Sequence, residues 1–308
     1  NYKNNMIVIP PLATNTSNTV SNVPEPSPGE VEWNVSTNYA QGAVIIRTST
    51  HRKYECVLVD EDHTVPELNT KKWLDIGPTN KWAMFDNLRS EQTKKLGSME
   101  FSITPGKRVD SLALLGLQAT KVTVWMTVGA NIVWGPIERN TSGRNTTTWS
   151  QYFFGEFKYI PSLLFQDLPP YASAVIHVKI ENAPTLDVGC SEVVIGTKVY
   201  LGAAQYNAVS DSQNFSRIDR DDFATAILRQ RRTIPKLNVE TWADKNLVNQ
   251  IREVRTDLNA VPALWSALDD NYNDPYFEAT FIYGIYKQFE INISGPSLAI
   301  VNLELEEM

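Results

Sequence analysis

Cysteine is nearly absent: the 308 residues hold two, Cys56 and Cys190, far apart in the chain. A disulfide framework is therefore not the design, and two buried free thiols are expected. Histidine is as scarce, with only His51, His63 and His177. None sits beside a Cys-x-x-Cys or His-Glu-x-x-His partner, so neither a metal centre nor another cofactor is expected. No run approaches the ~20 apolar residues of a membrane helix, and no membrane insertion is expected. The start carries only the short apolar run Met6-Ile7-Val8-Ile9, without the charged flank and long apolar core of a signal peptide, so synthesis in the cytoplasm is expected. Positive charge is in deficit, 28 Lys and Arg against 35 Asp and Glu, for a net charge of −7. A nucleic-acid partner would call for a basic surface, which argues against one here. Gly-x-Gly-x-x-Gly, phosphate-loop and Gly-x-Ser-x-Gly patterns are all missing.

What is present is apolar material enough for packed cores, at 42% of the chain, and length enough for two or three domains. Residues 1–30 read as an extended N-terminal arm and linker, because Pro24, Pro26 and Pro28 forbid a regular ladder. Residues 31–79 form a small aromatic β module with strand-like runs at 43–47 and 53–59. Residues 80–205 hold many short β segments, at 98–103, 111–117, 121–128, 172–180 and 192–201, which read as an antiparallel β-sandwich of jelly-roll type. Ala174, Ile176, Val178 and Ile180 alternate with Val175, His177 and Lys179 at the period of a strand.

Residues 206–308 read as an α+β barrel-like unit with one helix. The helix is expected over 241–258, opened by Thr241 and Asp244 as a capping box and carrying Leu247, Val248, Ile251, Val254 and Leu258 on one face. Strands at 279–293 and 298–306 should follow it. The fold class is thus mainly β.

Carboxylates cluster at Asp60-Glu61-Asp62, at Asp219 with Asp221 and Asp222, and at Asp269-Asp270. Glycosidases need two carboxyls facing each other across a sugar, whereas these sit in turn-like segments where Asp bonds its own backbone. The basic run Arg229, Arg231 and Arg232 reads as a strand edge or subunit contact.

The informative constellation is aromatic: Trp33, Tyr39, Tyr54 and Trp73 fall within about forty residues. Rings of this kind can stack on the C–H faces of sugars. They can equally be the core of a unit too small to fold otherwise. The series Trp33, Tyr39-x-x-Gly42, Tyr54-Glu55 and a closing Trp73 resembles the small chitin-binding-type carbohydrate-binding modules of bacterial chitinases, over residues 31–77. It lacks the adjacent aromatic pair usual there between Tyr54 and Trp73. The resemblance implies Trp33, Tyr39, Tyr54 and Trp73 as carbohydrate-binding candidates. Trp73, which precedes the exit at Gly77-Pro78, is expected to be the exposed platform, with Trp33 and Tyr54 mainly structural.

A second stretch, Trp73-Leu-Asp-Ile-Gly-Pro-Thr-Asn-Lys-Trp-Ala-Met-Phe-Asp86, is similar to a segment of structural proteins from tailed bacteriophages. Tyr283 to Ile291 and Asn302 to Glu306 resemble the end of the same family. That resemblance implies a non-enzymatic virion component of the tail tip or baseplate, assembled as a symmetric homo-oligomer with other phage tail proteins. Host-surface glycan is a further implied partner. The competing readings are a dedicated glycan-binding adhesion protein of the virion and a cell-wall glycan hydrolase.

Overall fold

The computed structural model describes residues 5–60, 63–87, 89, 91–143, 148–154, 158–220, 226–267 and 276–308. Strands make up 51% and helices 10%, the mainly β class expected from the short-period patterning. Every pairing between named strands is antiparallel.

Three β layers stack. The outermost is a five-stranded sheet in the order Asn131–Asn140, Lys121–Val128, Val175–Glu181, Ser98–Ile103 and Thr19–Ser21. Its alternating residues, among them Met99, Phe101, Val122, Val124, Ile176 and Val178, face inward and are fully buried. They meet a middle sheet of three strands, Ser162–Phe165, Ser111–Leu115 and Glu192–Gly196.

In the middle sheet every residue of all three strands is buried. Leu112, Leu114, Leu163, Phe165, Val193 and Ile195 fill the sandwich core, while Ala113, Leu115, Leu164 and Val194 face the other way. An unbroken apolar run such as Leu112-Ala113-Leu114-Leu115 is what burial on both faces requires.

The third layer is a closed barrel. Six strands run Val199–Ala204, Asn5–Ile9, Ala263–Ser266, Phe281–Ile293, Leu298–Glu307 and Thr233–Asp244, and the last returns to the first through Ala203 opposite Trp242 and Ala204 opposite Thr241. Gly202, at φ 108°, lies at this seam, where a Cβ would stand 2.8 Å from the Trp242 carbonyl carbon. Closure therefore depends on glycine at that position. Met6, Val8, Trp265, Ile282, Val301, Leu303 and Leu305 fill the barrel. Ile7, Ile9, Leu264, Phe277, Phe281 and Tyr283 point outward and pack on the middle sheet.

Three expectations change here. Residues 1–30 are not a free arm. Asn5–Ile9 is a barrel strand paired on both sides, Leu12 donates to the Ile195 carbonyl at 2.7 Å, and Thr19–Ser21 edges the outer sheet. The proline segment that suggested an arm begins only after these strands. The barrel also draws on residues outside 206–308, namely 5–9 and 199–204, and the single strand expected over 192–201 is two strands. It breaks after Gly196, where the chain crosses from the middle sheet to the barrel.

The helix is shorter than expected, Val248–Asp257, after a turn of 3-10 helix at Lys245–Leu247. Thr241 is a strand residue whose hydroxyl donates to the Leu201 carbonyl at 2.9 Å, and Asp244 is the cap, accepting from the Asn246 amide. Residues 241–244 alternate buried and exposed, a period-two signal that outweighs the capping pattern. The expected face holds: Ile251, Val254 and Leu258 join the barrel core and Leu247 packs against it.

Deleting residues 1–9 is expected to abolish cooperative folding of the barrel, since it removes a strand hydrogen-bonded on both edges. Ile7→Ala alone should cost about 2–4 kcal/mol in denaturant titration. A deletion variant with unchanged melting temperature and near-UV circular dichroism would show that the strand is dispensable.

Candidate functional site

Residues 31–79 hold a three-stranded sheet, Val44–Arg47, Arg52–Cys56 and Trp73–Pro78. Its small core is Tyr39, Ile45, Tyr54, Cys56 and Trp73, with Trp33 packed against it. Trp73 is 2% exposed, Tyr54 6% and Tyr39 8%. The indole of Trp73 donates to Asp60 at 3.2 Å and meets Tyr39 edge-on at 5.3 Å. Trp33 lies beneath the Arg47 guanidinium at 4.9 Å, and Arg47 is itself held by Glu67 at 2.9 Å.

The structure thus brings all four sequence-predicted residues together, Tyr39, Tyr54 and Trp73 as a core and Trp33 packed against it. The expectation that Trp73 is an exposed platform is overturned. Its strand presents Leu74 and Ile76 outward and turns Trp73 inward, because a unit this small has few other large side chains to bury.

The module is fixed to the sandwich through Glu25. Its nearly buried carboxylate is met by His51 Nδ1 at 2.9 Å and accepts from the Thr79 hydroxyl at 2.6 Å and the Trp82 indole at 3.2 Å. Trp82 also packs against His51 with its ring tilted, the centroids 4.8 Å apart. His177 is a sheet residue, stacked on Trp125 at 5.1 Å and hydrogen-bonded to Thr127, and burial lowers its pKa. Both cysteines are buried free thiols, and burial pushes Cys190 up to about 12.

Of the carboxylate clusters, Asp60 and Asp219 are described; Glu61, Asp62, Asp221, Asp222, Asp269 and Asp270 lie outside the described residues. Asp60 supports Trp73 and Lys72, and Asp219 pairs with Arg217. Among the described residues no group of three or more His, Cys, Asp or Glu could hold a metal ion.

Sequence reasoning passed over a different carboxyl, Glu192. It is 2% exposed in the middle sheet, and its Oε2 has no hydrogen-bond partner among the described residues. Burial, then the charge of Asp86, raises its pKa to about 10, so it is a neutral acid at pH 7. Nearby, the hydroxyl of buried Tyr283 donates to Asn87 at 3.1 Å, and burial raises Glu278, which accepts from Ser162 at 3.2 Å. The one available signal was a lone charge inside the apolar run Glu192-Val-Val-Ile.

The second overlooked feature is a hairpin. Val209–Asn214 pairs with the start of Thr233–Asp244, and Arg217–Arg220 pairs with Ala226–Arg229 further out. The barrel strand Leu298–Glu307 accompanies this ladder only as far as Glu306 opposite Lys236. Beyond that point the hairpin has two strands alone and reaches, at about 3.3 Å per residue, roughly 25–30 Å. Ile218 lies directly opposite Leu228, so both side chains share a face, 63% and 73% exposed. Arg217 and Arg229 flank Asp219, at 2.5 and 3.9 Å. The arginine run expected at a strand edge or subunit contact sits at the returning base of this arm, exposed, with Arg232 held by Glu307 and the Met308 carbonyl.

Trp73→Ala is expected to cost about 3–5 kcal/mol and to unfold the small module, a loss visible as a lower first melting transition. A variant of unchanged stability would return Trp73 to the surface.

The second expectation concerns pH. The folded state holds a proton on Glu192 that the unfolded chain releases above its ordinary carboxyl range. This contribution is therefore full below about pH 4.5 and is lost as pH rises toward 10. Glu192→Gln should stabilise the protein at pH 7 by about 3 kcal/mol and flatten the decline between pH 5 and 8. Urea titrations giving parallel pH profiles for wild type and variant would contradict it.

No protein-family model matches this chain and no curated protein is significantly similar to it, so the functional reading rests on the geometry above.

Proposed function

We propose that this chain is a non-enzymatic structural component of a tailed-phage virion, placed at the tail tip or baseplate, where copies associate symmetrically. The observation that carries this reading is the hairpin arm. An isolated two-stranded ribbon is marginal in water, and this one exposes an apolar pair beside arginines. Such an element is useful to a protein that completes its packing against neighbours. The phage resemblance of residues 73–86, 283–291 and 302–306 supplies the kind of assembly.

Dedicated glycan adhesion is the weaker reading, because three of its four candidate rings are core residues. Hydrolysis is weaker still. Glu192, the most perturbed carboxyl among the described residues, is sealed between two β layers and has no open face toward a polymer.

The test is localisation. Particles purified from a phage lysate should contain the protein by mass spectrometry, and antibody raised against it should decorate the tail end in electron micrographs. Its absence from purified particles would end the virion reading. The purified chain should release no reducing sugar from peptidoglycan or chitin; release abolished by Glu192→Gln would end the non-enzymatic part.

A further inference from the structure

The arm needs a landing surface, and the barrel carries a fitting one. On its outer face Glu240 lies opposite Asn302, which lies opposite Glu290, and in the next row Glu304 lies opposite Asn238 and Gln288. Together they line a shallow groove of about 400 Å³. None of the three carboxylates forms an ion pair with a lysine or arginine among the described residues, although Glu306 and Glu307 close by are bridged by Lys236, Lys287, Arg89 and Arg232. Trp242, half-exposed, stands beside the groove with its indole donating to Glu240 at 2.8 Å.

We propose that the hairpin arm of one copy docks on this face of a second copy, its Arg217 and Arg229 face turned toward the groove so that Arg217, Arg229 and Arg231 meet Glu240, Glu290 and Glu304. The assignment rests on the assembly reading above and names its partner surface.

Charge selects the occupant. The chain is acidic overall, whereas residues 209–232 hold five arginines against the four aspartates Asp211, Asp219, Asp221 and Asp222, and at the base of the outer ladder Arg217 and Arg229 share the single carboxylate of Asp219. The same chain cannot satisfy itself. Arg229 and Glu240 are joined by the returning strand, largely Thr233–Asp244, and extended backbone holds them roughly 35 Å apart. Folding the arm back onto its own sheet would break the ladder with Val209–Asn214. A contact between two different surfaces of identical copies is heterologous, and it closes into a ring if the rotation allows.

The test is sedimentation velocity on the full chain at micromolar concentration. Wild type should form oligomers that weaken as salt is raised. Arg217→Glu with Arg229→Glu and Arg231→Glu should weaken association roughly tenfold or more, as should Glu240→Lys with Glu290→Lys and Glu304→Lys. Both sets combined in one chain should restore it. Arg217, Arg229, Arg231 and Glu290 are exposed and Glu240 and Glu304 half-buried, so melting temperature is followed for each variant, and the combined variant separates lost contact from lost fold.

As a second measurement, copies carrying Arg231→Cys mixed with copies carrying Glu290→Cys should cross-link on oxidation, since the native thiols are buried. A wild type that sediments as a monomer, or oligomers indifferent to both charge reversals, would overturn the proposal. A particle-borne protein that is monomeric in isolation would remove this contact and leave the virion reading standing.

Discussion

Everything in this fold leans on a sheet that has no outside. The strands Ser162–Phe165, Ser111–Leu115 and Glu192–Gly196 are buried on both faces, with the sandwich core on one side and the barrel wall on the other. A sheet in that position cannot be stable as part of either neighbour alone, because removing one layer exposes half of its apolar side chains to water. It therefore makes one packing problem of two layers that each have a core of their own. The barrel strand Asn5–Ile9 shows the same logic from the other side, with Met6 and Val8 turned into the barrel and Ile7 and Ile9 onto the middle sheet.

The N-terminal segment runs through this stack as a strap. Within about twenty-five residues it forms a barrel strand, lies along the middle sheet, edges the outer sheet and delivers Glu25 to the aromatic module. Proline suits the last part of this path because the chain there bonds through side chains rather than through a ladder. Glu192 is the cost of the arrangement, a carboxyl held neutral in the sheet buried on both faces. Burial that outweighs its one backbone hydrogen bond, from Asn87, makes it a source of pH-dependent instability.

Against these packed layers the hairpin stands apart. Its residues from Val209 outward are almost all exposed, and the only described ion pairs near its outer end run between its own side chains. Natural sheets usually cover or blunt long edges, since open ones invite pairing. This arm keeps its edge open and carries arginines and aspartates along it, on a chain of net negative charge.

The aromatic spacing, the alternating strands and the apolar helical face were legible from the sequence because each is local: period two or period 3.6 fixes which side chains share a face. Tyr39, Tyr54 and Trp73 were recognisable as a set, as were Ile251, Val254 and Leu258. Whether a ring faces solvent or core is not local, and only packing turned Trp73 inward. The same holds for Met6 to Ile9, whose short apolar run is silent about having partners some two hundred and more residues away. The arm was invisible for the converse reason. Its strands lack apolar alternation, since no layer among the described residues packs against them, and only the tertiary structure shows where the barrel ladder stops and the hairpin continues alone.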